Sequence, residues 1–273
     1  MTAADQRSIE VKNRRGPKVE REPALPPPWA REQWIDEGSL RDEAEQAARR
    51  AGSEEAPRRR APKSELAPEV AEELARVAAA GRTARYQERL SSAAEALDRG
   101  RFADARRMVQ GVLRDLPEMA FGHEIAGLAL YRLGQWRKAA AELETARLLD
   151  GTTNHHPVLA DCYRAMRRFH EVETLWRELR EASPAPALLA EGRIVAAGAQ
   201  ADQGDLQGAL ATMARALEVP KKPRDYHLRQ WYVLADLLDR SGDVIKARRY
   251  FGLVFEHDRE FADVAERLRS LGR

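Results

Sequence analysis

The sequence predicts an all-α chain built as a solenoid of about five helix pairs, and three observations carry that prediction. A short signature recurs: a tight turn, an aromatic or aliphatic residue, then a small residue followed by bulky apolar ones at helical spacing. Its small-residue position is held by Ala105, Ala139, Val172, Ala209 and Ala247, which lie 34, 33, 37 and 38 residues apart. Each copy also divides into two runs with apolar residues three and four apart, the spacing that places them on one face of a helix. Such a pair cannot bury its apolar face alone, so neighbouring copies must stack. The third observation is a change of composition near residue 63. Half of the 14 prolines (Pro17, Pro23, Pro26, Pro27, Pro28, Pro57 and Pro62) precede it, and bulky aliphatic residues are scarce there. A segment of that kind buries too little surface to offset its ordering entropy. We therefore expect a disordered tail over 1–63 and the solenoid over 64–273.

In chain order, the tail opens with six basic residues against three acidic ones in its first 21 positions, among them Arg14, Arg15 and Lys18. Trp29 and Trp34 are large apolar groups in an otherwise solvated segment. A helix-prone run follows over 39–52, with Ser39 to cap it and Gly52 to end it. A short helix is expected over 68–80. Proline suits its first turn, and Val70, Leu74 and Val77 share a face, so it should cap the stack over the first repeat. The helix pairs should then run over 84–98 with 102–116, 119–133 with 136–150, 155–166 with 169–182, 186–203 with 206–219, and 224–241 with 244–257. The repeats as units span about 84–117, 119–151, 155–184, 186–220 and 224–259. A last helix within 260–271 carries Val264 and Leu268 on one face and should keep the open end of the stack soluble.

The stretch 119–150 states the pattern most fully, with Gly127, Tyr131, Gly134, Trp136, Ala139, Leu143 and Ala146. In these residues the chain resembles the tetratricopeptide repeat, Tyr131 standing one position out of phase. The family's period is about 34 residues. The longer spacings here coincide with extra residues around Pro184–Pro186 and Pro220–Pro223. The resemblance implies a right-handed α-solenoid whose first helices line a concave groove. The chain is also similar to uncharacterised actinobacterial tetratricopeptide proteins with a basic, proline-rich tail, through Arg14-Arg15-Gly16-Pro17-Lys18 and the stretch 191–199. That likeness adds no activity.

Carried over position by position, the resemblance puts Leu90, Ala94 and Leu97 of the first repeat in the groove, and Phe121, Glu124, Leu128 and Tyr131 of the second. Asp161 and Arg164 follow from the third, Glu191 and Ile194 from the fourth, and Arg229, Tyr232, Asp236 and Arg240 from the fifth. The N-terminal half of the groove is thus apolar and the C-terminal half charged. Some family members clamp a peptide carboxylate with Lys and Asn; Leu90, Ala94 and Leu128 stand at comparable positions here, so that clamp is not expected. An apolar groove suits an amphipathic helix or an extended apolar peptide. Alternatively the protein's own chain covers it, with Trp29 and Trp34 as the candidates.

The remaining signals narrow the function. A net charge of +2 over 273 residues selects neither nucleic acid nor acidic ligands. The single cysteine, Cys162, excludes an internal disulfide and suits a reducing compartment. With no apolar leader and no apolar run of membrane-spanning length, a cytoplasmic protein without membrane contact is expected. No glycine-rich phosphate loop or nucleophile elbow is present, so neither an enzyme nor a cofactor is expected. His155 and His156 with Asp161 and Cys162 lack zinc spacing, so no metal site is expected. Two readings remain. One is a protein-interaction scaffold that binds a peptide or protein partner in the groove, with homodimerisation through an unfinished end open. The other is an RNA- or ribosome-associated factor whose tail (Arg14, Arg15, Lys18) contacts phosphates.

Overall fold

The computed structural model describes residues 66–79 and 81–272. The tail features, including Arg14, Arg15, Lys18, Trp29, Trp34 and the run at 39–52, lie outside the described residues. Within those, the secondary structure is helical throughout, without strands. After α1 (Pro68–Val77) come α2 (Thr83–Asp98) with α3 (Phe102–Asp115), and α4 (Ala120–Arg132) with α5 (Trp136–Asp150). Next are α6 (His156–Ala165) with α7 (Phe169–Ala182), α8 (Pro186–Asp202) with α9 (Leu206–Thr212), and α10 (Asp225–Arg240) with α11 (Val244–His257). The last helix is α12 (Val264–Leu271).

Two small-residue positions hold each pair together. Ala105, Ala139, Val172, Ala209 and Ala247 of the second helices are all essentially inaccessible, at 0–1% exposure. Twelve residues before each, the first helix carries Ala93, Gly127, Ala160, Ala197 or Ala235, also buried. Gly127 shows why bulk is excluded there: a Cβ on it would stand 2.6 Å from Leu143 Cγ. The turn inside each pair needs one residue in the left-handed backbone region. Glycine fills it at Gly100, Gly134, Gly204 and Gly242, whereas the third pair uses Arg167 at φ 59°, a conformation that costs a residue with a Cβ about 1–2 kcal/mol.

The row of first helices forms the inner side of the stack. Successive first helices pack on one another (α2 on α4, α4 on α6, α6 on α8, α8 on α10), and each second helix packs on the following first helix. Among the described residues, successive second helices make no comparable contact with each other. The second helices therefore splay on the outside of the bend.

Three expected elements differ: the first helix, expected over 68–80, already ends at Val77. The helix expected over 206–219 stops at Thr212 and tightens into a 3-10 segment, Met213–Leu217. Thr212 Oγ1 donates to Gln200 Oε1 of α8 at 2.7 Å. The three-residue period of the tighter helix sets Met213 and Ala216 on one face, where both are buried. The terminal helix starts at Val264 rather than near Phe261. Ala262 adopts φ 44°, and Phe261 turns onto the ring of Tyr232, centroids 5.6 Å apart.

Candidate binding surface

The sequence places an apolar patch at the N-terminal end of the inner row, and the structure covers it. Leu90 is fully buried and belongs to one core cluster with Leu74 of α1. Ala94, Leu97 and Phe121 pack half-buried against that cluster, together with Val70 and Val77 of α1. Leu90 is therefore not a groove residue open to a partner. The stripe Val70–Leu74–Val77 of α1 packs into the same cluster. The contact is more than apolar: the Glu73 carboxylate accepts from Ala120 N–H at 2.5 Å and Phe121 N–H at 3.5 Å. These are amides at the start of α4, which a helix leaves without internal partners and which favour negative charge. Thus α1 bridges the first two repeats.

Beyond α4 the inner row changes character and becomes a ladder of paired polar groups. Tyr131 Oη donates to Asp161 Oδ2 at 2.7 Å, its ring standing edge-on to Trp136. Asp161 lies 3.7 Å from Arg164 Nη1. Arg164 reaches into the next repeat, donating from Nε to Asp202 Oδ2 at 2.6 Å and from Nη2 to Oδ1 at 3.2 Å. Room for that reach comes from Gly198, where a Cβ would lie 2.6 Å from Arg164 Nη1. Burial alone would lower the Arg164 pKa, but the hydrogen bond to Asp202 and the charges of Asp202 and Asp161 outweigh it, so the net shift is upward. Glu124 faces His155 Nε2 at 3.5 Å, and Arg229 Nε donates to Glu191 at 2.7 Å. Leu128 and Ile194 are half-buried at the edges of the core. At the C-terminal end, Tyr232 donates to Asp263, and Asp236 pairs with Arg267 of α12 at 3.2 Å and with Arg240 at 3.8 Å.

The expected positions from Glu124 to Arg240 are exposed or half-buried on the first helices, while Leu90 is fully buried. Sequence reasoning missed the partners Asp202, Asp263 and Arg267, because each sits in the repeat or cap after the residue it meets, 38, 31 and 31 residues on, and the repeat signature does not include those positions. It also missed Glu73, whose neighbours Glu69 and Glu72 look identical by composition but are exposed.

One further position separates the repeats chemically. Sixteen residues before the small residue of the second helix stand His123, His156 and Arg193 in repeats two to four. His123 Nδ1 meets Glu142 Oε2 at 2.6 Å, and its Nε2 meets the Pro117 carbonyl at 3.0 Å. Burial lowers its pKa, but these bonds and the charges of Glu142 and Glu73 raise it further, for a net rise. His156 Nε2 meets Glu178 at 3.1 Å, and its Nδ1 is buried without a partner. Burial dominates there, helped by Arg147, and the net shift is downward. Arg193 Nη1 donates to the buried Gln230 at 2.5 Å. His155 and His156 thus diverge to different carboxylates. Among the described residues, no group of three or more His, Cys, Asp or Glu side chains could hold a metal ion. Burial and the neighbouring Asp161 charge push the Cys162 thiol up to about 12, so it is an inert core group. No helix among the described residues is long and apolar enough to cross a membrane.

No family model matches the chain, and no curated protein matches it. Solved structures do. TTC0263, described as a thermophilic TPR protein of Thermus thermophilus, superposes with a TM-score of 0.53 at 18% identity, over 68% of this chain and 97% of that one. PilF of Pseudomonas aeruginosa superposes with a TM-score of 0.52 at 15% identity, over 70% of this chain and 90% of that one. At such identities the likeness is one of fold. The small-residue positions, the left-handed turns and these superpositions agree: the chain has the tetratricopeptide-repeat fold.

Proposed function

We propose that this protein is a non-catalytic interaction scaffold that holds a peptide or protein partner along the inner row from α4 to α10. The observation that supports this reading is the continuity of the row. Glu124, Leu128, Tyr131, Asp161, Arg164, Ile194, Arg229, Tyr232, Asp236 and Arg240 stay accessible or half-accessible on consecutive first helices. Their charges already neutralise one another, so a partner gains only by exchanging pairs. Selectivity then rests on the order of charges along the partner, since a mismatched charge is left unpaired. The reading needs no cofactor, and it is proposed for a protein acting in the cytoplasm. Phe121 sits at the edge of the row beside α1 and would contact the partner's end.

The test is capture from lysate by the full chain and by an Arg164→Glu, Arg229→Glu variant, each with and without nuclease. The reading expects a partner that resists nuclease and falls about tenfold or more in the variant, the equivalent of roughly 1.4 kcal/mol. A second copy of the chain would register as a partner in the same assay. Capture indifferent to the two reversals would overturn the inner row as the site. Release by nuclease, with steep salt dependence, would move the assignment to RNA or ribosome contact through Arg14, Arg15 and Lys18.

A further inference from the structure

We infer that the apolar end of the inner row is a helix-binding site that the chain itself occupies with α1. Its occupant in trans would be an amphipathic helix of the same pattern. The inference rests on the scaffold reading and specifies the partner class and regulation at one end of it. The seated helix displays what the site recognises. A large apolar residue, Leu74, is buried in the same core cluster as Leu90, with apolar residues four before it (Val70) and three after it (Val77) packed against that cluster. The residue just ahead of the large one, Glu73, delivers its carboxylate to the free amides of Ala120 and Phe121. This is the helix-in-groove mode, read through anchors at i, i+4 and i+7, with one added element: an acidic residue that caps a receptor helix.

The same features make α1 displaceable. It has ten residues, below the length at which a helix holds itself together in water. Leu74 is its sole fully buried side chain; Val70, Glu73 and Val77 are partly covered, and Pro68, Glu69, Glu72, Ala75 and Arg76 face solvent. It joins α2 through residues 78–82, where Gly81 has open space around it. It is held by proximity: a short tether presents a segment at an effective concentration on the order of millimolar. A free helix with the pattern apolar, two residues, acidic, large apolar, two residues, apolar would compete for the same seat.

The test uses the full chain and a labelled peptide of its own residues 66–79, followed by fluorescence anisotropy. The unmodified chain should take up the peptide weakly, because α1 fills the seat. Leu74→Ala and the milder Glu73→Gln in the full chain should loosen α1 and bind the unmodified peptide at least about tenfold more tightly. A peptide carrying both substitutions should bind neither variant. Equal affinities for unmodified and substituted chains of the same helix content would overturn the inference. If Leu74→Ala unfolds, hydrogen exchange on the unmodified chain decides. Amides of α1 exchanging faster than those of α2 and α4 support displacement, and equal protection makes α1 a fixed part of the core. A molecular mass doubling with concentration would show α1 seated in a second copy and would replace the intramolecular seat with an exchange between chains. Because the probe is the chain's own segment, its failure leaves the proposed site at Arg164 and Arg229 untouched. Loss of that site would likewise leave the peptide titration unchanged.

Discussion

The two ends of the inner row share a backbone plan and differ in what holds them. From α2 to the start of α4 the row is cemented by burial: Leu74, Leu90, Phe121 and the residues around them form one apolar cluster, with a single carboxylate at its edge. From Tyr131 onward it is held by matched polar groups, Tyr131–Asp161–Arg164–Asp202 and Glu191–Arg229, each partly in water. Burial carries no charge for salt to screen, and it depends on the size and fit of the apolar group. Paired charges are weak individually, salt-sensitive and demanding about geometry. One architecture thus has an apolar, buried end and an end of paired polar groups. The repeat signature is silent on this difference because it specifies only how helices pack within a pair.

The largest effect that would break this contrast is at Leu90. It is fully buried, so Leu90→Ala should destabilise by about 2–5 kcal/mol through lost transfer energy and a residual cavity. Urea denaturation at low and high salt should give the same loss. A loss that changed with salt would mean that the Glu73 contact, rather than burial, dominates this end.

A smaller effect is expected at Gly198. A side chain there pushes on Arg164, whose guanidinium is the far end of a flexible chain and can move. Gly198→Ala gains up to about 1 kcal/mol of helix propensity and loses a pair with Asp202 worth roughly 0.5–1 kcal/mol. Net stability should therefore change by less than about 1 kcal/mol. The coupling between Arg164 and Asp202 in a double-mutant cycle should vanish in the Gly198→Ala background. Coupling that survives intact would show that Arg164 reaches Asp202 without needing the space over Gly198.

These cases also mark what was legible beforehand. The starts of α3, α5, α7, α9 and α11 follow from the turn signature, because a left-handed turn residue and a small packing residue at fixed separation leave little freedom between them. The third turn is the informative exception: it keeps the geometry with Arg167, so the pattern survives there only through Phe169 and Val172. The helical period also puts the expected inner-row positions on the first helices. What covers each position was not. Leu90 and Glu124 stand at equivalent places, yet one is buried in a cluster with Leu74 of α1 and the other faces His155. Period assigns a face, while burial depends on which distant segment comes to rest on it. The shortening of α9 was hidden for a related reason, because 213–217 contains good helix formers and the tightening follows from contacts made elsewhere.

The smallest expected effect separates two equivalent histidines at the boundary between the regimes. Net interaction raises the pKa of His123, so its contribution to stability is complete below the unfolded value of 6.5 and is lost as pH rises through the folded value. The groups facing it are Glu142 on α5, Glu73 on α1 and the Pro117 carbonyl. Burial depresses the pKa of His156, so its contribution is present above 6.5 and is lost as pH falls through its folded value; Glu178, Arg147 and Glu144 face it. In the native chain the two slopes oppose each other. His123→Gln should therefore leave a chain that loses more stability than the native one on going from about pH 7.5 to about pH 5.5. His156→Gln should leave one that loses less over the same interval. Urea midpoints at the two pH values read both differences directly. Differences from the native chain that have the same sign in the two variants would mean that equivalent positions in neighbouring repeats share one electrostatic environment, and the boundary between the closed and the paired end would then lie beyond α6.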